Sequence, residues 1–90
     1  MHIQVSDPTN ADPTDIDGDV TFDSDDTQCT ITIPIDSPIA SRLMMSGLRE
    51  YHVHIDTGPG MGWIGTLTRW RIGGNRVYLY CMGDVIEQDD

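Results

Sequence analysis

Residues 51–82 read YHVHIDTGPGMGWIGTLTRWRIGGNRVYLYCM, and they predict three consecutive β-strands. The first six residues alternate strictly, so Tyr51, Val53 and Ile55 fall on one face of a strand and the polar residues between them on the other. Residues 63–72 and 77–82 are the arms of a hairpin, because the glycines and asparagine between them tolerate the positive φ angles of a tight turn. This part of the chain therefore predicts an antiparallel meander.

Charge fixes the expected register of the hairpin. A turn at 73–74 would place Arg71 opposite Arg76, and like charges facing each other across a ladder are destabilising. A turn at Gly74 and Asn75 avoids that contact. The inward face then pairs Ile72 with Val77, Trp70 with Leu79 and Thr68 with Cys81, while the outward face pairs Arg71 with Tyr78, Arg69 with Tyr80 and Leu67 with Met82.

The rest of the chain predicts short strands and one helix. Alternating patterns indicate strands at 1–5, 19–23 and 28–35. Ser37 and Pro38 are typical of an N-cap and a first helical residue, and Gly47 is a natural stop, so a helix is expected at about 37–47. A helix this short has to pack on the sheet. The predicted fold is mainly β (α+β): a small antiparallel sheet or partly open barrel of 5–6 strands with one short helix packed on it.

We expect a single domain over 1–90, with an acidic loop or arm at 6–18 and a polar tail at 84–90. No long apolar run and no basic-then-apolar amino terminus is present, so we expect a soluble, intracellular protein, in the host cytoplasm or in a virion if it is viral. Cys29 and Cys81 fall on inward strand faces, where a free thiol behaves as a small hydrophobe. Two cysteines alone do not indicate a disulfide scaffold.

The net charge of −10 is unevenly distributed. Residues 1–41 hold nine aspartates and no basic residue, and the chain contains no lysine. Such a field repels nucleic acid and membrane surfaces and favours association with a basic surface. A simpler interpretation is a solvated acidic face. The residues expected to contact a partner are Asp12, Asp15, Asp17, Asp19, Asp23, Asp25 and Asp26.

These observations predict a non-enzymatic, acidic protein-interaction module. In its most concrete form it is a viral or mobile-element accessory protein whose aspartates imitate nucleic-acid phosphates and block a basic, nucleic-acid-binding host protein. One alternative is a small structural subunit of a larger assembly, such as a virion component or a homo-oligomer. A second alternative is a calcium-binding module. No serine or cysteine has a credible histidine and acid beside it in the sequence pattern, so we expect no enzyme activity and no cofactor.

Two metal sites and a second contact face are further candidates. Asp15, Asp17, Asp19, Asp23 and Asp26 have a spacing that resembles a calcium loop, but glycine stands at the fourth position and the last acid is the shorter aspartate. His52, His54 and Asp56 share one strand face and are a candidate zinc set. The second contact face consists of Arg69, Arg71, Tyr78 and Tyr80. It could stack on single-stranded nucleic acid, which the net charge opposes.

Overall fold

The computed structural model describes residues 2–7, 10–46 and 51–87. In chain order the elements are β1 (His2–Asp7), β2 (Asn10–Ile16), β3 (Asp19–Phe22), β4 (Gln28–Pro34), α1 (Pro38–Ser46), β5 (His52–Gly58), β6 (Met61–Gly73) and β7 (Arg76–Glu87). All seven strands belong to one antiparallel sheet in the order β2-β1-β5-β6-β7-β4-β3. The mainly β prediction with a single short helix is confirmed, with one strand more than expected. Among the described residues, no helix has the length and apolar character needed to cross a membrane.

The additional strand is β2, which lies within the segment predicted as an acidic loop at 6–18. Residues 10–16 pair with β1 instead, so the loop prediction is wrong for them. Alternation did not reveal this strand, because Ile16 is its one described side chain in the core. Pro13 is tolerated because β2 is an edge strand, whose outer amide groups have no ladder partner to lose. The polar tail predicted at 84–90 is corrected similarly: β7 runs to Glu87, and residues 88–90 lie outside the described part.

The sheet curls into a half-barrel, and the connection between β2 and β3 explains why it must. These two strands form opposite edges of the sheet, yet only Asp17 and Gly18 separate them in sequence. Three peptide steps span at most about 11 Å. In a flat sheet the edges would lie six strand spacings apart, or about 29 Å. The two edges therefore have to approach each other at this end.

The core fills the concave side of the sheet and is closed by the helix. Ile39, Ala40 and Leu43 of α1 are buried in the same cluster as the inward residues of the strands. Ser37 accepts the first amide hydrogen bonds of the helix through its carbonyl oxygen, as predicted for the residue before Pro38. Arg42 donates a hydrogen bond to the Thr14 hydroxyl at 3.0 Å, which links the helix to β2.

Trp63 is the largest fully buried side chain. Its indole N–H donates to the carbonyl oxygen of Asp26 at 2.7 Å, and its ring meets the Phe22 ring edge-to-face at 5.9 Å. It therefore joins the middle of the sheet to β3 and the β3–β4 turn. The ring also lies over Gly65, where any added Cβ would collide with it. Gly83, opposite Gly65 in the ladder, has no room for a Cβ beside the Ile64 carbonyl oxygen.

The β6–β7 hairpin confirms the predicted turn and most of the predicted register. Gly74 has a φ of 63° and forms the turn with Asn75. The pairs Ile72–Val77, Arg71–Tyr78, Trp70–Leu79 and Arg69–Tyr80 are as predicted. The register shifts between Arg69 and Leu67, because Thr68 is an extra residue whose hydroxyl donates to the Tyr80 carbonyl oxygen at 3.0 Å. Leu67 consequently pairs with Cys81 instead of Met82 and is buried, so its predicted outward position is wrong.

Candidate functional site

The predicted acidic residues lie along the two edges of the sheet. Asp12 and Asp15 are in β2 and Asp19 is in β3; Asp17 connects the two strands. Asp23, Asp25 and Asp26 follow in the β3–β4 connection. We call this set of seven residues the acidic edge. The curl of the sheet brings the end of β2 next to the start of β3, so the set follows the open seam of the half-barrel. The side chain of Asp12 lies outside the described part.

Three of these carboxylates are used inside the protein. Asp15 accepts hydrogen bonds from the His2 imidazole at 2.8 Å and from the Gln4 amide at 3.2 Å. Asp23 accepts from the backbone amides of Thr27 and Gln28 at 3.1 and 3.2 Å, which closes the β3–β4 turn. Asp19 lies 3.8 Å from Arg76, where both groups are exposed and the pair contributes little to stability. These three residues have structural roles that the sequence pattern did not reveal.

Asp17, Asp25 and Asp26 are different, because their carboxylates are exposed and make no hydrogen bond or ion pair with any described side chain or backbone group. Asp26 has a φ of 56°, a left-handed conformation that aspartate tolerates better than most residues. Its carbonyl oxygen faces inward and binds Trp63. The fold thus holds the backbone here while the carboxylate stays in water. Among the described carboxylates of the acidic edge, these three remain available to a partner.

The His2–Asp15 contact makes the β1–β2 pair sensitive to pH. The hydrogen bond and the attraction of the Asp15 carboxylate raise the pKa of His2 above 6.5, and hydrogen bonds from His2 and Gln4 lower the pKa of Asp15 below 3.8. The His2 contribution to stability is complete below pH 6.5 and is lost as pH rises through its raised pKa. The Asp15 contribution is present above pH 3.8 and is lost as pH falls through its lowered pKa. Between pH 3.8 and pH 6.5, His2 and Asp15 both contribute fully to stability.

We therefore expect Asp15→Asn to reduce the free energy of unfolding more at about pH 5.5 than at about pH 8.5. Urea unfolding of the variant and the wild type at both pH values measures this difference. Asp17→Asn removes a neighbouring carboxylate that has no described partner, and its effect should not differ between the two pH values. If Asp15→Asn lowered the free energy of unfolding equally at both pH values, the result would contradict an ion pair between His2 and Asp15.

The predicted arginine-tyrosine face is present. The guanidinium carbon of Arg69 lies 4.5 Å from the centre of the Tyr80 ring, and that of Arg71 lies 4.9 Å from the centre of the Tyr78 ring. Each exposed stack contributes about 0.5 to 1 kcal/mol. The arginines cover the faces of the tyrosine rings, so those faces are occupied within the protein. The contacts lie on the outer face of the β6–β7 hairpin, opposite the buried Val77 and Leu79, and stiffen it there.

The metal candidates do not form a cluster. Among the described residues, no group of three or more histidine, cysteine, aspartate or glutamate side chains is placed so that it could hold a metal ion. His52, His54 and Asp56 do share the outer face of β5, as predicted, but they do not converge on one point. The calcium candidates are spread from β2 to the β3–β4 turn, and two of them, Asp15 and Asp23, bind protein groups.

Sequence reasoning missed a groove on the outer face of the sheet. The groove has a volume of about 530 Å³ and lies where β1, β5, β6 and β7 run side by side. Its floor includes Ile64, which is 45% exposed, and its walls include Ser6, His52, His54 and Asp84. Residues on neighbouring strands come together only once the ladder register is known, so alternation within one strand could not identify this surface.

Comparisons with protein-family models, with curated proteins and with solved structures give no significant match.

Proposed function

We propose that the protein is a non-enzymatic interaction module that binds a basic protein surface through its acidic edge. The observation that carries this proposal is the position of Asp17, Asp25 and Asp26: exposed carboxylates in the two connections that flank the edge strand β3, with no described intramolecular partner. Carboxylates fixed by the backbone lose little conformational freedom when they bind, which favours charge-driven recognition.

The kind of partner follows from the arrangement of charge. A row of anionic groups along one seam resembles the charge pattern of a nucleic-acid backbone more than that of a compact ion site. We therefore propose a nucleic-acid-binding protein as the partner, which the module would block as a viral or mobile-element accessory protein. Acidic residues on edge strands also prevent edge-to-edge aggregation. That role explains charge at the edges without requiring any partner. The experiment therefore has to distinguish binding of a partner from prevention of aggregation.

The test is capture of basic proteins from the lysate of the source, with the protein immobilised. We expect capture to fall from about 0.05 to about 0.5 M salt, and bound proteins to be released by added duplex DNA. The triple variant Asp17→Asn, Asp25→Asn, Asp26→Asn should bind a captured protein about tenfold more weakly, because three exposed ion pairs contribute roughly 0.5 kcal/mol each.

The matched control is Asp84→Asn, Glu87→Gln, Asp90→Asn, which removes the same charge from the carboxyl-terminal end of the chain. It should bind as the wild type does if the acidic edge is the contact. Equal losses in both triple variants would show that only net charge matters. Capture that resists salt and is not displaced by DNA would rule out the proposed mimicry.

A subunit of a larger assembly is the second candidate function. Several large apolar side chains are exposed, including Ile64 and Met82 on the outer face, at 45% and 52%. Contiguous apolar exposure is typical of surfaces that another chain covers. The segment predicted as an acidic arm does not supply this contact as a free extended chain, since residues 10–16 already pair with β1 in the same chain. Sedimentation at increasing protein concentration tests this candidate, and a monomer throughout would exclude self-assembly.

A further inference from the structure

Two buried thiols face each other across the sheet. Cys29 of β4 and Cys81 of β7 are directly paired in the ladder, both are free, and they are 3% and 2% exposed. They are the two cysteines of the chain, 52 positions apart in sequence. The fold therefore brings together two nucleophilic groups that neither the acidic edge nor the proposed function uses.

The hydrogen-bond pattern shows how far apart these residues are. In the β4–β7 ladder, Ile35 donates its amide to the Asn75 carbonyl, and Gly83 donates its amide to the Thr27 carbonyl. Hydrogen-bonded and non-hydrogen-bonded pairs alternate along an antiparallel ladder. Counting from either end places Cys29 and Cys81 at a hydrogen-bonded pair, with about 5.5 Å between their Cα atoms. Disulfides join Cα atoms 4.4 to 6.8 Å apart and Cβ atoms about 3.5 to 4.5 Å apart. The Cα separation therefore allows a bond here, while the facing Cβ atoms, about 5.5 Å apart in such a pair, have to move about 1 Å closer.

The two thiols are chemically unequal. The hydrogen bond between them lowers the pKa of Cys29, against the opposing effect of burial, and raises the pKa of Cys81. A lowered pKa favours the thiolate form of Cys29, and the thiolate is the form that attacks a disulfide. Cys29 also lies next to the edge strand β3, so local opening of the β3–β4 hairpin exposes it without separating the central strands.

We propose that Cys29 and Cys81 form a reversible intramolecular disulfide that connects β4 to β7. The oxidant is a low-molecular-weight disulfide such as oxidised glutathione. The Cys29 thiolate attacks one glutathione sulfur and releases one glutathione thiolate; Cys81 then attacks the Cys29 mixed disulfide and releases the second. The protein loses two electrons and two protons, and the glutathione disulfide takes up both and becomes two glutathione thiols.

The consequence is a redox-dependent restraint on one side of the sheet. Hairpin β3–β4 carries Asp19, Asp23, Asp25 and Asp26 of the acidic edge. A bond from β4 to β7 fixes that hairpin on the meander. The proposal does not depend on the proposed function, because it concerns only the thiols and the ladder between them.

The experiment equilibrates the wild-type protein with defined ratios of reduced and oxidised glutathione, in buffer and in urea. The samples are quenched with acid, and intact mass spectrometry then measures the amount of each species. These species are the reduced protein, the protein with the intramolecular disulfide and the glutathione adducts. The intramolecular disulfide lowers the mass of the protein by two hydrogens. We expect the equilibrium constant for the intramolecular bond to be about tenfold or more higher in the folded protein than in the unfolded chain, because the fold holds the two thiols together. Dithiothreitol should restore the original mass.

An equilibrium constant in the folded protein that is equal to or below that of the unfolded chain would overturn the proposal. So would accumulation of glutathione adducts or of disulfide-linked dimers in place of the intramolecular bond. Cys81→Ser is the control for the assignment, since it can form an adduct at Cys29 but never the lighter species. The wild-type comparison decides the question even if that variant is unstable.

Discussion

Trp63→Ala should lower the free energy of unfolding by about 4 kcal/mol, because it removes a large, fully buried side chain and leaves a cavity. Domains of this size have a total stability of about 5 to 13 kcal/mol, so the loss is a large fraction. The change also removes the hydrogen bond to Asp26 and the edge contact with Phe22. Urea unfolding followed by circular dichroism measures the loss in free energy of unfolding, since this signal does not depend on tryptophan fluorescence.

Trp70→Ala is the matched control for Trp63→Ala. The two residues lie on the same strand, but Trp70 is only partly buried at the margin of the core. We expect Trp70→Ala to lower the free energy of unfolding by less than half as much as Trp63→Ala does. Trp63→Phe separates the two contributions, since it keeps a ring in the core and removes the N–H donor. Equal losses for both alanine variants would show that Trp63 does not organise the core as described.

Gly83→Ala should be destabilising by about 3 kcal/mol, although it adds only a methyl group. A Cβ at this position would overlap the Ile64 carbonyl oxygen and crowd Gly65, and both neighbours are backbone. A flexible side chain could turn away from such a contact, whereas here the β6–β7 strands have to separate. Loss of this close approach should weaken the ladder on both sides of it. Thermal and urea unfolding of the variant measure the effect.

Gly58→Ala provides the control for Gly83→Ala. A Cβ built at Gly58 has no heavy atom within 4 Å, and the residue does not adopt a positive φ. Its effect should stay within about 0.5 kcal/mol. A comparable loss from both substitutions would mean that the cost arises from strand propensity and not from the collision at Gly83.

Much of the fold could be predicted because its signals are local. Alternation marked β5, glycine and asparagine marked the β6–β7 turn, and the repulsion of Arg71 and Arg76 selected the correct register. The errors occurred where tertiary position overrides composition. Pro13 and the surrounding aspartates are typical of a loop, yet an edge strand tolerates them. The bulge at Thr68 also has no pattern of its own, and it is recognisable only from the pairing of β6 with β7.

The site was predictable in composition but not in detail. The abundance of aspartate is visible in the sequence, and so is its excess in residues 1–41, which hold nine of the thirteen aspartates. Some of these carboxylates form hydrogen bonds within the protein. Their partners lie far along the chain or on strands that the sequence did not predict. Asp15 binds His2 only because β2 lies beside β1. The Cys29–Cys81 pair likewise required the β4–β7 register, which no local pattern supplies.

The strand order has a consequence for how the chain folds during synthesis. The hairpins β1–β2 and β3–β4 lie on opposite flanks of the meander, where β1 pairs with β5 and β4 pairs with β7. The first 41 residues thus leave the ribosome before the strands that they pair with exist. During that interval we expect their apolar residues to be exposed, and nine aspartates without a lysine or arginine favour repulsion between nascent chains. The charges along the seam of the finished domain therefore favour solubility of the chain before the domain is complete.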